Sequence, residues 1–437
     1  MTFRSCGKPL SGAVQVPGDK SISHRALMLS ALVVGESRIE GLLEGEDVLA
    51  TAAAMRAMGA HIRRDEDGTW HVEGVGVGGL LQPEQALDMG NSGTSTRLLM
   101  GLLASHKLTA TFTGDASLSK RPMKRVTDPL SLMGAEFTTS PGGTLPLTMR
   151  GIVPAVPIEY RLPVASAQVK SAILLAALNT PGTTRVIKPE PTRDHSERML
   201  KGFGAHLEVT LNDAGERVIA IEGEAELHPQ HIIVPSDPSS AAFPVVAALL
   251  VPGSDVTVTN VGINPTRAGL FKLLQAIGGQ IELRNQREVG GEPVADIHVR
   301  HSILDAIEND PADAPSMIDE FPIAFIAAAQ AKGRSYFGGL EELRVKESDR
   351  ISAMAAGLRQ IGVNVEETED GLIVDGTGGA PFHGGGPITT HLDHRIAMSF
   401  AIAGLVSTDG VEIDDMRPVA TSFPTFLPLL RQIGADV

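Results

Sequence analysis

The chain has 437 residues, 42% of them hydrophobic, which supplies apolar material for two or more packed domains and argues against disorder. A formal net charge of −15 with only 4% aromatic residues argues against both a grip on a nucleic-acid backbone and base stacking. A single cysteine, Cys6, leaves no intrachain disulfide and no Cys-based zinc site, and fits a reducing, cytoplasmic setting. The first twenty residues carry no apolar core of a signal peptide, so no export signal is expected. The longest apolar runs, such as AAFPVVAALLVPG (241–253), are too short and too broken to span a bilayer.

The first strand-like stretch is AVQVPG (13–18). PGDKSISHR (17–25) follows it and precedes an apolar helical run, so Lys20, Ser21, Ser23 and Arg25 fall at a strand-to-helix turn. Helix N-terminal amides favour an anion there, with Lys20 as a point charge and Arg25 as a fork; an ordinary helix start capped by Ser is the competing reading. The order of a phosphate loop is absent, because Asp19 separates Gly18 from Lys20. GVGVGG (74–79) leads into no immediate helix and reads as a hairpin or loop. GNSGTSTR (90–97) precedes the helix LLMGLLA; Asn91, Gly93 and Thr94 offer donors at its start, and Gly93 permits close approach of a ligand. A capped helix after a glycine turn fits this segment equally well. SKRPMKR (119–125) sets four cations around Pro122; a solvated charged face and one inward-facing Arg fit it equally well.

ASAQVKSAILLAAL (165–178) is a helix with Ser166 and Gln168 at its polar start, and PTRDHSER (191–198) is another, with Arg193. Both also fit simple caps. PSMIDEFP (315–322) puts Asp319 and Glu320 in an apolar setting, where burial and nearby cations tune a carboxylate as a base; a dipole-serving helix start is the alternative. RVKESDR (344–350) alternates charge and reads most simply as a solvated ladder on a helix face. HLDHR (391–395) sets Asp393, His394 and Arg395 before an apolar helix, where an anion site competes with simple capping. No H-E-x-x-H, C-x-x-C or G-x-S-x-G pattern occurs, so metal-dependent hydrolysis and Ser or Cys nucleophiles lack support.

Beneath these segments lies a repeat. Six times a helical segment ends in an apolar residue and Gly, then turns strand-like, at Gly59, Gly134, Gly204, Gly278, Gly362 and Gly434. The spacings run from 70 to 84 residues. Gly follows each helix where a positive φ is usually needed. Three units precede VPSDPSSAAFP (234–244), whose Pro, Ser and Asp density marks a crossing, and three follow it. The last unit is expected to end on a strand at the C-terminus, with the N-terminal stretch completing its sheet. Residues 1–19 with 236–437 then form one discontinuous domain and 20–235 the other, with the active site in the cleft between them.

The set PGDKSISHR, GNSGTSTR, GDASLSKRPM, ASAQVKSA, TRDHSE, SMIDEFP, ELRVKESDR, HLDHRIAMSF and ATSFP, in this order, resembles 5-enolpyruvylshikimate-3-phosphate synthases, over essentially the full chain. ASAQVKSA, PSMIDE and ATSFP are most similar to the bacterial class that includes glyphosate-tolerant members. The resemblance implies an α/β (α+β) fold, a two-domain inverse α/β barrel in which each domain holds three β-α-β-α-β-β units. It implies transfer of the enolpyruvyl group of phosphoenolpyruvate to the 5-hydroxyl of shikimate 3-phosphate, with release of phosphate and no metal or organic cofactor. It assigns Lys20 to both substrates. Ser21, Arg25, Ser166, Ala167, Gln168 and Arg193, with Asp319 and Lys346, are assigned to shikimate 3-phosphate. Asn91, Gly93, Arg121, Gln168, Arg350 and Arg395 are assigned to phosphoenolpyruvate. Asp319 is the implied base, and Glu347, with Lys20, the implied acid. The implied partners are these two small molecules, with glyphosate as a further ligand, and neither nucleic acid nor membrane; a monomer is expected.

Two positions depart from the family pattern. Thr421 stands where some members have Lys, so a phosphate contact made there by Lys is missing. Tolerant members carry Ala at the position of Gly93, so inhibition by glyphosate is expected, with Leu98 in the same helix able to shift the outcome. Among other readings, the related enolpyruvyl transferase acting on UDP-N-acetylglucosamine typically uses a loop Cys, and Cys6, before the first strand, is poorly placed for it. A non-catalytic anion-binding repeat protein would need neither Asp319 nor Glu347.

Overall fold

The computed structural model describes residues 1–5 and 7–437, so the expectation that rests on Cys6 lies outside the described residues. The chain divides into two compact units, Met1–Pro17 with Pro235–Val437 (unit 1) and Gly18–Val234 (unit 2).

Twelve α-helices occur among the described residues: α1 Lys20–Ser30, α2 Glu46–Ala57, α3 Gly93–Ala104, α4 Lys124–Leu132, α5 Ala167–Ala177 and α6 His195–Gly202 in unit 2, then α7 Pro238–Leu250, α8 Gly269–Ala276, α9 Phe321–Gln330, α10 Arg350–Gln360, α11 His394–Gly404 and α12 Phe426–Gln432 in unit 1. They alternate in character. Every residue of α7 and of α9 is buried, and α5 is buried from Val169 onward. In contrast, α8 buries only Leu270, Phe271 and Leu274, one stripe of an amphipathic helix. The odd-numbered helices, buried along most of their length, fill the interior of their unit behind the sheets, and each unit has its own hydrophobic core. This is the inverse α/β arrangement.

In unit 2 the repeating unit is explicit. Strand Leu87–Asp88 runs through α3 into the parallel strand Thr109–Thr113, and α4 then leads to the antiparallel pair Glu136–Ser140 and Thr144–Arg150. The same β-α-β-α-β-β order recurs from Glu159–Arg161 through α5 and α6 to Arg217–Glu222. The remaining copy is closed cyclically: His231–Ile233, at the end of the unit, lies parallel to Val34–Glu40 near its start.

Unit 1 repeats this scheme with borrowed strands. Ser11–Val14 runs parallel to Asp255–Gly262, and Thr2–Phe3 runs antiparallel to Val411–Ile413. The expectation of a C-terminal strand is corrected here, because Ala435–Val437 form none. Thr2–Phe3 already occupies the edge of Val411–Ile413, while the 11–14 strand completes a different sheet.

The six repeat glycines adopt one conformation, with φ from +90° to +105°. Each lies two residues past its helix, and its N–H bonds the carbonyl three residues back. The next N–H reaches back five residues, as in Ala60 to Met55, Ala135 to Leu130, Val363 to Leu358 and Ala435 to Leu430. These are Schellman closures, and a left-handed φ is why Gly stands at each.

Candidate active site

In unit 2, Asp19 caps α1 by accepting from the Ile22 N–H at 2.8 Å. The capping side chain is therefore Asp rather than Ser, and Lys20 to Arg25 lie inside the helix. The Lys20 amine pairs with Asp47 of α2. Arg25, 6% exposed, donates to Ser196 Oγ at 2.7 Å, Ser171 Oγ at 3.0 Å and the Ser21 carbonyl at 2.8 Å. Between Lys20 and Arg25, His24 is fully buried and held neutral, its pKa well below the usual value through burial and then through the two cations.

Ser92 caps α3 by accepting from the Ser95 N–H, which places Gly93 in the first turn of the helix. Arg121, the inward-facing cation of its cluster, donates to Asn91 Oδ1 at 2.7 Å and to Ser117 Oγ at 3.1 Å. It passes close over Gly93, where an added Cβ would stand 3.1 Å from its Nη1. Ser166 caps α5, with Ala167 next to it. Gln168 then joins the starts of α5 and α3, accepting from Arg97 Nη1 at 2.6 Å and donating to Thr94 Oγ1 at 3.1 Å.

Behind this surface sits a buried triad of charge. Lys170 lies 2.8 Å from both Glu197 carboxylate oxygens, and Lys188 lies 3.7 Å from one of them. Burial lowers the Lys170 pKa to about 8, against the pull of Glu197 in the other direction. The Lys170 amine also donates to the Arg193 carbonyl, which ties the 190–194 loop to α5.

In unit 1 the carboxylates and cations of three segments meet. RVKESDR is not a helical ladder: residues 341–345 form a 3₁₀ turn, and α10 begins only at Arg350, capped by Asp349. Arg350 is 1% exposed. Its Nε donates to Asp393 at 2.9 Å, Nη1 to Asp319 at 3.3 Å and Nη2 to Glu347. Burial alone would lower its pKa, but Asp393, Glu347 and Asp319 together raise it above the ordinary arginine value. Lys346 lies 3.8 Å from Asp319, and Arg395 donates to the Asp319 carbonyl at 2.9 Å. Asp393 caps α11 while ion-paired to Arg350, after two residues, His391 and Leu392, in left-handed backbone conformation. Strain of this kind persists only where its surroundings hold it.

Sequence reasoning thus placed Asn91, Gly93, Arg121 and Gln168 in one unit, and Asp319, Lys346, Glu347, Arg350 and Arg395 in the other. It missed the residues that hold them: Asp47, Arg97, Lys170, Ser171, Ser196 and Glu197. Asp393 was read before its helix, where it does cap, but its ion pair with Arg350 was not. Thr421 turns its hydroxyl back onto the Pro418 carbonyl at 2.7 Å. A cavity of about 240 Å³ beside α4, lined by Lys124, Arg125, Tyr160 and Val164 among others, involves none of the candidate residues. No helix among the described residues is long and apolar enough to cross a membrane.

The family model EPSP synthase (3-phosphoshikimate 1-carboxyvinyltransferase) matches residues 5–430. The chain is 73% identical over 426 residues to the 3-phosphoshikimate 1-carboxyvinyltransferase of Novosphingobium aromaticivorans, covering 97% of each sequence. It is 70% identical over 431 residues to that of Zymomonas mobilis, covering 98% of this chain and 95% of the relative. Among solved structures, the EPSP synthase of Acinetobacter baumannii aligns with a TM-score of 0.87 at 47% identity, covering 100% of this chain and 98% of that one. The enolpyruvyl transferase NikO from Streptomyces tendae shares the fold, with a TM-score of 0.79 at 20% identity. On a match that runs nearly from end to end, the chain belongs to the EPSP synthase family.

Proposed function

We propose that the residues described above carry out the family's reaction, transfer of the enolpyruvyl group of phosphoenolpyruvate to the 5-hydroxyl of shikimate 3-phosphate. The observation that carries the mechanism is the attachment of Asp319 and Glu347 to one guanidinium, that of Arg350. Asp319 removes the 5-hydroxyl proton, and the oxygen attacks C2 of phosphoenolpyruvate. Glu347, with Lys20, delivers a proton to the C3 methylene. The tetrahedral adduct then loses phosphate, and the new methyl group returns a proton.

Charge competition supports this order. An arriving phosphoenolpyruvate anion competes with Glu347 for Arg350, and a carboxylate that loses its cation binds a proton more readily. Arg121, Arg350 and Arg395, with Asn91, Gly93 and Gln168, bind phosphoenolpyruvate. Ser21, Arg25, Ser166, Ala167, Gln168, Arg193 and Lys346 bind shikimate 3-phosphate. The residues of both domains, 1–19 with 236–437 and 20–235, act on the same two substrates. The enzyme works in the cytoplasm as a monomer, and glyphosate competes for the phosphoenolpyruvate subsite.

Phosphate release with both substrates tests the activity; no release would refute it. Asp319→Asn is expected to keep binding and lose about 10²–10⁴-fold in turnover. Unchanged turnover would remove Asp319 as the base.

A further inference from the structure

Glu320, next to Asp319, is 2% exposed. It stands at the start of α9, but its side chain caps nothing there, so the helix end does not explain it. Its Oε1 accepts from Ser239 Oγ and lies 3.7 Å from Arg395 Nη1. Its Oε2 is buried without a hydrogen-bond partner. A buried carboxylate kept for stability has its oxygens satisfied, and a half-satisfied one is worse than an apolar residue.

Its surroundings point in one direction. Ser239 also accepts from Arg267 Nη2 at 2.6 Å, and Arg267 lies 3.3 Å from Asp237. Asp237 caps α7, and its own N–H donates to the Pro17 carbonyl at 2.9 Å. A buried polar chain thus runs from Asp237 through Arg267, Ser239 and Glu320 to Arg395. Arg395 rests with one nitrogen on the carbonyl of Asp319 and beside the carboxylate of Glu320.

We propose that Glu320 is a positioning residue that fixes the Arg395 guanidinium for phosphoenolpyruvate, with Ser239 and Arg267 holding Glu320 in turn. Ordering this long cation before the substrate arrives removes an entropic cost from binding. The inference rests on Arg395 as a phosphoenolpyruvate contact, and the experiment separates the two ideas. Steady-state kinetics are measured for wild type, Glu320→Gln, Ser239→Ala, Arg395→Lys and the Glu320→Gln/Arg395→Lys pair, each with its melting temperature.

Glu320→Gln is expected to raise KM for phosphoenolpyruvate about tenfold, as for a coupled pair of this kind, with KM for shikimate 3-phosphate within about twofold. Ser239→Ala, which keeps the carboxylate, should give a smaller rise in the same parameter. In the Arg395→Lys background Glu320→Gln should add little. If Arg395→Lys leaves KM for phosphoenolpyruvate unchanged, the assignment of Arg395 fails. If Arg395→Lys raises it and Glu320→Gln does not, the positioning role fails. A purely structural Glu320 would lower melting temperature and active fraction with KM unmoved, which also overturns the proposal. Should Glu320→Gln not fold, Ser239→Ala decides alone, by the presence or absence of its KM effect.

Discussion

Gly101, in the middle of α3, faces α5 at backbone distance. A Cβ added there would lie 2.3 Å from the Ala172 carbonyl oxygen, 2.5 Å from its Cα and 2.7 Å from its carbonyl carbon. These are backbone atoms of a buried helix, so no rotamer change relieves the clash. Carbon atoms pack at about 3.5–4.0 Å, so Gly101→Ala must part the helices by roughly 1 Å. Overpacking costs about 1–3 kcal/mol, and Ala regains about 1 kcal/mol of helix propensity over Gly. With the clash against backbone, a net loss of about 2 kcal/mol is expected, or roughly 4–8 °C in melting temperature for a unit of this size. The same 1 Å falls on the links from Gln168 to Arg97 and Thr94, which join these two helices at their starts. Both KM values should therefore rise. Circular dichroism melting with phosphate-release kinetics provides the assay. Ala172→Gly should not rescue the variant, because the obstructing atoms are main chain. A melting temperature within about 1 °C of wild type, with unchanged KM values, would refute the reasoning.

Gly93→Ala should behave differently, because its Cβ would meet side-chain ends rather than backbone, Arg121 at 3.1 Å and Arg97 at 3.4 Å. The fold should survive while glyphosate, which we expect to inhibit the wild type, binds more weakly; an unchanged inhibition constant would count against this. His24 stays neutral in the folded chain, whereas an unfolded His protonates near pH 6.5. Its stabilisation is therefore lost as pH falls below that value, by up to about 1.4 kcal/mol per pH unit. The stability gap between wild type and His24→Gln should narrow from pH 6.5 to 5 in urea titrations, and a constant gap would contradict a depressed His24. Glu197→Gln leaves Lys170 buried without its carboxylate, at a cost of about 3–5 kcal/mol. In the wild type the Lys170 pKa of about 8 is below that of an unfolded lysine, and in the variant it falls further. The gap should shrink as pH climbs towards about 8 and stay level above; a gap independent of pH from 6 to 8.5 would show that Lys170 is not the strained charge.

The repeat was legible in the sequence because a Schellman closure is local: a helix, its capping residue and one Gly suffice to specify it. The placing of candidate residues at helix starts was legible for the same reason. Asn91, Gly93, Ser166 and Gln168 announce themselves by small polar residues before apolar runs. Pairings across the chain were not legible. Lys170 and Glu197 look like a helix-face residue and a polar helix start, and only the fold, which brings the two side chains together, makes them a buried pair. RVKESDR misled because alternating charge suits a helix face, whereas Asp349 caps a helix that begins only at Arg350, the last residue of the segment. Nor does a pattern of alternation name the partner of a strand, so the destinations of residues 2–3 and 11–14 could not be read.

Those two N-terminal strands set the order of assembly. The bond from Met1 to Ile413 spans 412 residues, and that from Leu10 to Ser254 spans 244. During synthesis residues 2–3 must wait for residues 411–412, whereas residues 11–14 wait only for residues 255–258. Unit 2, begun later, has all its strands once residue 233 has emerged. Long-range pairing slows folding, and domains form as their chain becomes available. The nascent polypeptide thus carries a finished inserted unit while residues 2–3 lack their partner strand until residues 411–412 are made. In that window the first short strand lacks its partner, and chaperone binding to the N-terminal residues on ribosomes stalled before residue 411 is where this delay should be visible.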